Sequence, residues 1–410
     1  MNIYYLIPYT PNQIRVRPYN LIKYMAKRGH RITLFTLWTT LKERDSLEAI
    51  TQYCERVIHR QLNKSLIAWN VVKTIPTNLP LQSVYSWHPD LFRLLLSEVT
   101  KHRPDMIHIE HLRGSRYGLH LLKYLRQAGL STPIIWDSVD CITYLFQQAI
   151  LQPQSYKQNA ILRFELPRTK AYEKAVMRIF PHVLVTSRHD KESLSALSPR
   201  VSGNTQIHIL PNGVDLEYFR PDPTVTRSKN RLIVSGKMSY HANIRMVNYL
   251  LEQIMPRVWA EQPGVELWVV GKDPPAEWQV YAHHPGVTIT GTVPDLRPYL
   301  QSAAISVAPI AYGAGIQNKV LEAMACETPV VATSKAISAL QVTPGEHLLV
   351  ANAPDDFANA VLKLLSSDSD RHRIAKAGRK YVQARHDWDK ITASLELFYH
   401  SSIDQPGEQI

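Results

Sequence analysis

Ala304-Ile305-Ser306-Val307-Ala308-Pro309 runs directly into Ile310-Ala311-Tyr312-Gly313-Ala314-Gly315, and Ile316-Gln317-Asn318-Lys319-Val320-Leu321-Glu322-Ala323-Met324-Ala325 follows. An apolar β-rich run, a loop of small residues and an amphipathic run read as a buried strand that opens a helix. Backbone N–H groups and the positive helix end then converge on one point, which suits a phosphate. Gly313 and Gly315 let a ligand approach the backbone closely, but the third glycine of a dinucleotide fingerprint is missing, which disfavours an NAD site. Ile316, Val320 and Met324, four apart, form the core stripe, and Glu322 projects from another side. Its carboxylate is placed either to accept both hydrogen bonds of a ribose diol or to pair with Lys319 on an exposed face.

The same strand-to-helix alternation extends along the chain. Short apolar runs fall at residues 3–7, 32–37, 106–109, 133–136, 183–186 and 207–210, and again at 232–235, 265–271, 287–291, 305–309, 330–333 and 347–350. Helical patterns separate them, which predicts an α/β protein with parallel sheets covered by helices. A length of 410 residues favours two domains. Pro211-Asn212-Gly213-Val214-Asp215 and Arg220-Pro221-Asp222-Pro223 concentrate turn formers and helix breakers between the two sets of runs. This places the first domain at 1–210 and the second at 211–385, with residues 401–410 a frayed tail. Two Rossmann-like halves facing each other across a cleft would bind ligands at the carboxyl ends of their strands.

With 45% hydrophobic and 20% charged residues the chain is neither disordered nor fibrous. No window reaches the roughly 18 apolar residues of a membrane span, and the start lacks a basic leader, so secretion is not expected. Cys54, Cys141 and Cys326 are scattered without CxxC spacing, which argues against a disulfide framework or zinc cluster and for a cytoplasmic protein. The charge of +12 is uneven: residues 1–210 hold 28 Lys and Arg against 14 Asp and Glu, whereas residues 211–410 hold 19 against 21. A basic half attracts anionic partners, such as a phospholipid face, nucleic acid or a phosphate-bearing substrate. Nucleic acid is disfavoured because no basic motif interleaved with aromatics is found.

Other strand-to-helix loops carry further candidates. Lys237 and Arg245 flank a loop in which Asn243 is placed to cap the helix, and the two cations would clamp a diphosphate. In the first half, Arg15 and Arg17 leave the first strand toward the expected cleft as acceptor or phosphate ligands. His108, Glu110 and Asp137 close the strands nearby as groups for acid, base or orienting roles. His108, Glu110 and His111 have poor spacing for a metal. No GxSxG, HExxH or GxxxxGK[ST] occurs, which removes the usual hydrolase, zincin and ATPase readings.

Residues 315–325, with Pro329-Val330-Val331-Ala332-Thr333 after them, resemble the donor-binding motif of glycosyltransferase family 4. Pro211-Asn212-Gly213-Val214-Asp215, Phe219, Val269-Val270-Gly271, residues 287–291 and Asp295 match further landmarks in order, and the pattern is close to the exopolysaccharide-assembly branch. The resemblance implies a GT-B fold with a C-terminal donor domain, an N-terminal acceptor domain and a helix at 386–400 crossing back onto the first domain. It also implies retention of anomeric configuration, no required metal and no cofactor beyond the nucleotide-diphosphate sugar. Mapped onto this chain, Glu322 would hold the ribose, Lys237 and the amides of Gly315, Ile316, Gln317 and Asn318 the diphosphate, and the Val293 region the base. Lys319, Gly313 and Ala314 complete the donor loop, and Glu322 and Asp137 are the catalytic candidates. Three positions depart from the pattern: Ala314 replaces the first glutamate of the E-x7-E pair, Ala242 replaces a lysine, and Asp137 stands where many relatives have histidine. The expected activity is sugar transfer to a glycan or lipid-linked acceptor, on an anionic inner membrane face and without nucleic acid. The alternative is a nucleotide-sugar sensor or assembly partner that has lost turnover.

Overall fold

The computed structural model describes residues 1–12, 15–151, 156–197, 205–311 and 315–404. The chain divides into two compact units, Met1–Pro211 with Asp389–Ile410, and Asn212–Trp388.

The first unit is built on a parallel sheet of β1 (Asn2–Ile7), β2 (Arg31–Trp38), β3 (Arg56–Gln61), β4 (Met106–Glu110), β5 (Ile134–Val139), β6 (His182–Val185) and β7 (Gln206–Ile209). Their order is β3-β2-β1-β4-β5-β6-β7. Ile3 pairs with Ile32 on one side and Met106 on the other, and Ile107 pairs with Ile134. Helices bury both faces, which is why the central strands read as continuous apolar runs. Leu6, Phe35, Ile107, Trp136 and Leu121 meet in its core, each such side chain worth about 1.5–3 kcal/mol when fully buried. The helix His111–Gln127 is drawn close to the sheet by Gly118, where a Cβ would lie 2.6 Å from the Phe180 ring.

β3 is absent from the sequence expectation. Its Arg-Val-Ile-His-Arg-Gln carries no apolar run because it is an edge strand, where charges guard the open side. The C-terminal helix Trp388–Asp404 runs four residues into the stretch expected to fray. From Asp389 onward it belongs to the first unit, where Arg28 bonds Glu396 (2.8 Å) and Asp389 (3.3 Å).

The second unit has a parallel sheet of β8 (Arg231–Ser235), β9 (Glu266–Val270), β10 (Val287–Gly291), β11 (Ile305–Ala308), β12 (Val330–Ala332) and β13 (Leu349–Val350), ordered β10-β9-β8-β11-β12-β13. Ile233, Val269, Val307, Val331, Met246, Leu321 and Phe357 build its core. Strand order reverses between β1 and β4 in the first unit and between β8 and β11 in the second. Ligands of doubly wound sheets bind at the carboxyl ends flanking such reversals.

Candidate functional site

At the second unit's reversal, β8 and β11 deliver two loops toward one edge. Gly236 (φ +150°) directly follows β8, and Gly271 (φ +151°) directly follows β9. A Cβ on Gly271 would stand 1.7 Å from the Gly236 carbonyl oxygen, so these backbones approach in a way that only glycine allows. Asn243 does not cap the helix His241–Tyr249; Tyr240 holds that position. Its side chain instead donates from Nδ2 to the Lys237 carbonyl (2.8 Å) and accepts at Oδ1 from Lys319 Nζ (2.5 Å). One amide thereby ties the loop after β8 to the helix Asn318–Ala325 after β11.

That helix begins without a side-chain cap, since its N-cap is Gln317, and it has no acidic residue in its first turn. Its leading N–H groups therefore meet no anion among the described residues, the situation that favours an external one. Gly315 (φ +77°) bends the chain into it. Ile316 is buried in the core but precedes the helix, so Val320 and Met324 alone continue the expected stripe inside it. Glu322 is half-buried, and among the described residues its carboxylate accepts no hydrogen bond. Burial pushes it up to about 7, against the pull of Lys319. Burial likewise brings Lys319 down to about 8, with Glu322 opposing. The Asn318 Oδ1 and Ser235 Oγ atoms are buried without partners. Lys237 is exposed, Arg245 is half-buried on the helix His241–Tyr249, and Val293 packs partly buried against the core. Ala242 is buried. Gly313 and Ala314 lie outside the described residues.

The first unit revises its candidates. Arg17 does not face outward; it is 4% exposed. Its Nε and Nη2 lie 2.9 and 2.8 Å from Asp137 Oδ2, and its Nη1 donates to the Leu210 carbonyl (2.9 Å). Asp137 is fully buried. Its other oxygen accepts from the Val139 N–H (3.1 Å), and His108 Nε2 lies 3.3 Å from Oδ2. His108 Nδ1 meets the Tyr399 hydroxyl at 2.6 Å, which meets the Tyr5 hydroxyl at 3.1 Å. Burial alone would raise the Asp137 carboxyl, but Arg17 and then His108 hold it below the usual carboxylate range. The expected catalytic Asp137, phosphate ligand Arg17 and acceptor group His108 thus form one internal network. The reason is valence: each charged atom already has a buried partner.

Beside the β1–β4 reversal the Tyr9 hydroxyl donates to Glu110 Oε1 at 2.6 Å, while Glu110 Oε2 is buried without a partner. Burial, then the Asp137 charge, pushes Glu110 up to about 8, so it is protonated at neutral pH. His111 takes a left-handed φ of +64°, and burial brings it down to about 3. Arg15 is one-third exposed, pairs with Glu43 (3.2 Å) and lies 4.9 Å from the Tyr9 ring centroid. Arg113, which sequence reasoning passed over, lies 5.6 Å from the Tyr9 ring and 5.0 Å from that of Tyr85. Its signal was the pair Arg113 and Arg116, spaced i, i+3 beside the helix's packing glycines. Among the described residues no group of three or more His, Cys, Asp or Glu is placed to hold a metal ion.

The family model "Glycosyltransferase Family 4" matches residues 15–218, and "Glycosyl transferases group 1" matches residues 229–367. The chain is 30% identical over 244 residues to MMP alpha-(1->4)-mannosyltransferase of Mycolicibacterium hassiacum, covering 56% of each chain. It is 29% identical over 224 residues to GDP-mannose-dependent alpha-(1-6)-phosphatidylinositol monomannoside mannosyltransferase of Mycobacterium tuberculosis, covering 50% of this chain and 57% of the relative. It therefore spans little more than half the length of these relatives. The structure of sucrose-phosphate synthase from Thermosynechococcus elongatus superposes with a TM-score of 0.72 at 20% identity, over 98% of this chain and 100% of that one. That likeness shows the fold, the GT-B arrangement of two Rossmann-like domains.

Proposed function

Because the chain belongs to the glycosyltransferase family 4-like proteins, we propose that it moves a sugar from a nucleotide-diphosphate sugar to a glycan or lipid-linked acceptor. In this reading transfer retains anomeric configuration, needs no metal and serves cell-surface or exopolysaccharide biosynthesis at the cytoplasmic membrane face. The observation that carries it is the Asn243 bridge, which joins the Lys237 loop to the uncapped helix bearing Lys319 and Glu322.

Each group has a task that its surroundings support. The leading amides of the helix, with Lys237 and Lys319, offset charge growing on the departing diphosphate, and such preorganised dipoles act without rearrangement during reaction. Arg245 adds a cation from the next helix. Glu322, ionised above about pH 7, accepts the ribose hydroxyls, and Val293 offers an apolar surface to the base. In the first unit Glu110, with one buried oxygen unpartnered and the other bonded by Tyr9, is the group assigned to the acceptor. Asp137 is a positioning residue that fixes Arg17 and His108 behind that edge. Among the described residues no helix is long and apolar enough to cross a membrane. The basic first half supports peripheral docking on anionic lipid, worth about 1 kcal/mol per well-placed cation.

The test is a thermal-stability screen with UDP, GDP, ADP, dTDP and CMP sugars, followed by a product assay with the stabilising one. A ligand at 100 times its Kd raises stability by about 2.7 kcal/mol. The proposal requires stabilisation and transfer. Stabilisation without product would favour the sensor reading, to which the buried Ala242, in place of a cation, points.

A further inference from the structure

A groove of 430 Å³ opens in the first unit between the helix Lys64–Thr74 and the start of the helix Pro89–His102. Leu66, Trp69, Leu79 and Trp87 give it an apolar and aromatic wall, to which Lys73 and Arg116 add two cations. Its volume lies within the range of about 300–1,000 Å³ that holds small ligands.

The polar side chains in that wall are already occupied. Asn70 Nδ2 donates to the Trp87 carbonyl (2.8 Å) and the Tyr85 carbonyl (3.3 Å), Thr74 Oγ1 to the Asn70 carbonyl (2.7 Å), and Thr77 Oγ1 to the Thr74 carbonyl (2.8 Å). A glycan, which is read by directed hydrogen bonds to hydroxyls, finds few unspent donors here. Arg116 lies 5.0 Å from the Trp87 ring and Lys73 lies 4.4 Å from the Trp69 ring. Among the described residues neither has a carboxylate partner, and no carboxylate lines the groove. Burial pulls Arg116 below its ordinary pKa, as an uncompensated guanidinium should be. Trp69, Val72 and Ile75 stay more than half exposed at the outer side of the same segment, an apolar rim that a fully water-bounded surface does not favour.

We infer that this groove seats the hydrocarbon chain of an acceptor lipid, with Arg116 and Lys73 holding its phosphate. Hydrocarbon meets the Leu and Trp wall, the anion meets the two unpaired cations, and the acceptor's reactive end is directed toward Glu110. Arg116 and Arg113 are one turn apart on the helix His111–Gln127, about 5 Å along its axis. Arg113 stacks on Tyr9, whose hydroxyl is bonded to Glu110. The role as acceptor rests on the proposed transfer reaction; the binding itself does not.

The experiment titrates the full chain with n-decyl phosphate, following tryptophan fluorescence, with n-decanol, inorganic phosphate and maltoheptaose as comparisons. n-Decyl phosphate should bind at least about 10-fold more tightly than n-decanol and 100-fold more tightly than inorganic phosphate. Arg116→Gln should weaken it about 10- to 100-fold, the loss of one or two charge-assisted hydrogen bonds. Trp69→Ala and Lys73→Gln, at exposed positions that folding tolerates, should each weaken it by several-fold. Equal binding by all three variants would overturn the assignment, as would saturable maltoheptaose binding without n-decyl phosphate binding. Phosphatidylcholine vesicles containing phosphatidylglycerol that displace n-decyl phosphate as well as unlabelled n-decyl phosphate does would assign the groove to bulk lipid and overturn the acceptor role. Nucleotide-sugar stabilisation is measured on the same samples. Its loss with n-decyl phosphate binding intact would contradict the transfer reaction and leave the groove standing, and the reverse result would do the opposite.

Discussion

Arg17→Met isolates the buried network of the first unit. The substitution removes both contacts to Asp137 Oδ2, at 2.9 and 2.8 Å, and the bond to the Leu210 carbonyl. Asp137 then keeps only the Val139 N–H and His108 as partners while remaining fully buried. Breaking a buried pair from one side costs about 3–5 kcal/mol, and a unit of this size loses about 2–4 °C of Tm per kcal/mol. The first unit should therefore melt roughly 6–20 °C lower, read by calorimetry because two units need not unfold together. Adding Asp137→Asn removes the stranded charge and should restore half or more of the loss. The deficit also depends on pH. Without Arg17, the main influence that holds the Asp137 carboxyl down against burial is gone, and its folded pKa rises above the ordinary carboxylate value. Stability at this group is then fully present below the ordinary carboxylate value and is lost as pH rises through the folded one, so the deficit grows toward alkaline pH. A single variant melting within about 2 °C of the parent, or a double variant whose losses simply add, would refute the pairing.

Tyr399→Phe leaves His108 Nδ1 buried without the hydroxyl at 2.6 Å, and should cost the first unit about 1–3 kcal/mol in urea unfolding without changing nucleotide-sugar stabilisation of the second. Gly271→Ala drives a Cβ to 1.7 Å from the Gly236 oxygen at φ +151° and should destabilise the second unit by at least about 2 kcal/mol, with loss of donor binding. Donor affinity should rise with pH through about 7 as Glu322 ionises, and Glu322→Gln should flatten that rise in a titration series. The same raised carboxyl means that, without ligand, stability falls as pH climbs from the ordinary glutamate value through about 7, because the folded state holds the proton longer.

The apolar runs announced most strands because parallel strands are buried on both faces, and burial leaves its mark on composition. β3 escaped for the opposite reason: its exposed edge selects Arg56 and Arg60 over an apolar pattern. The strand and helix within residues 304–325 were legible because an apolar run followed by an amphipathic one is written locally in the chain. Pairing between distant residues was not. Arg17 and Asp137 are 120 residues apart, and nothing in the spacing of either says that they meet inside the sheet edge and not in solvent. Asn243 misled because asparagine near a helix start is usually a cap, whereas here Tyr240 takes that place and the amide reaches a lysine 76 residues away. The groove beside Trp69 depends on a helix that is apolar on more than one side, a pattern that periodicity cannot orient.

In the proposed function the loop and helix joined by Asn243 hold the nucleotide diphosphate while Glu322 holds its ribose. Calorimetric titration of the best-stabilising nucleotide sugar into the parent chain and into Glu322→Ala tests it most directly. The parent should show a single site and the variant about 10- to 100-fold weaker binding, as one or two charge-assisted hydrogen bonds of roughly 1.5–3 kcal/mol demand. Equal affinity in a folded Glu322→Ala chain would contradict it.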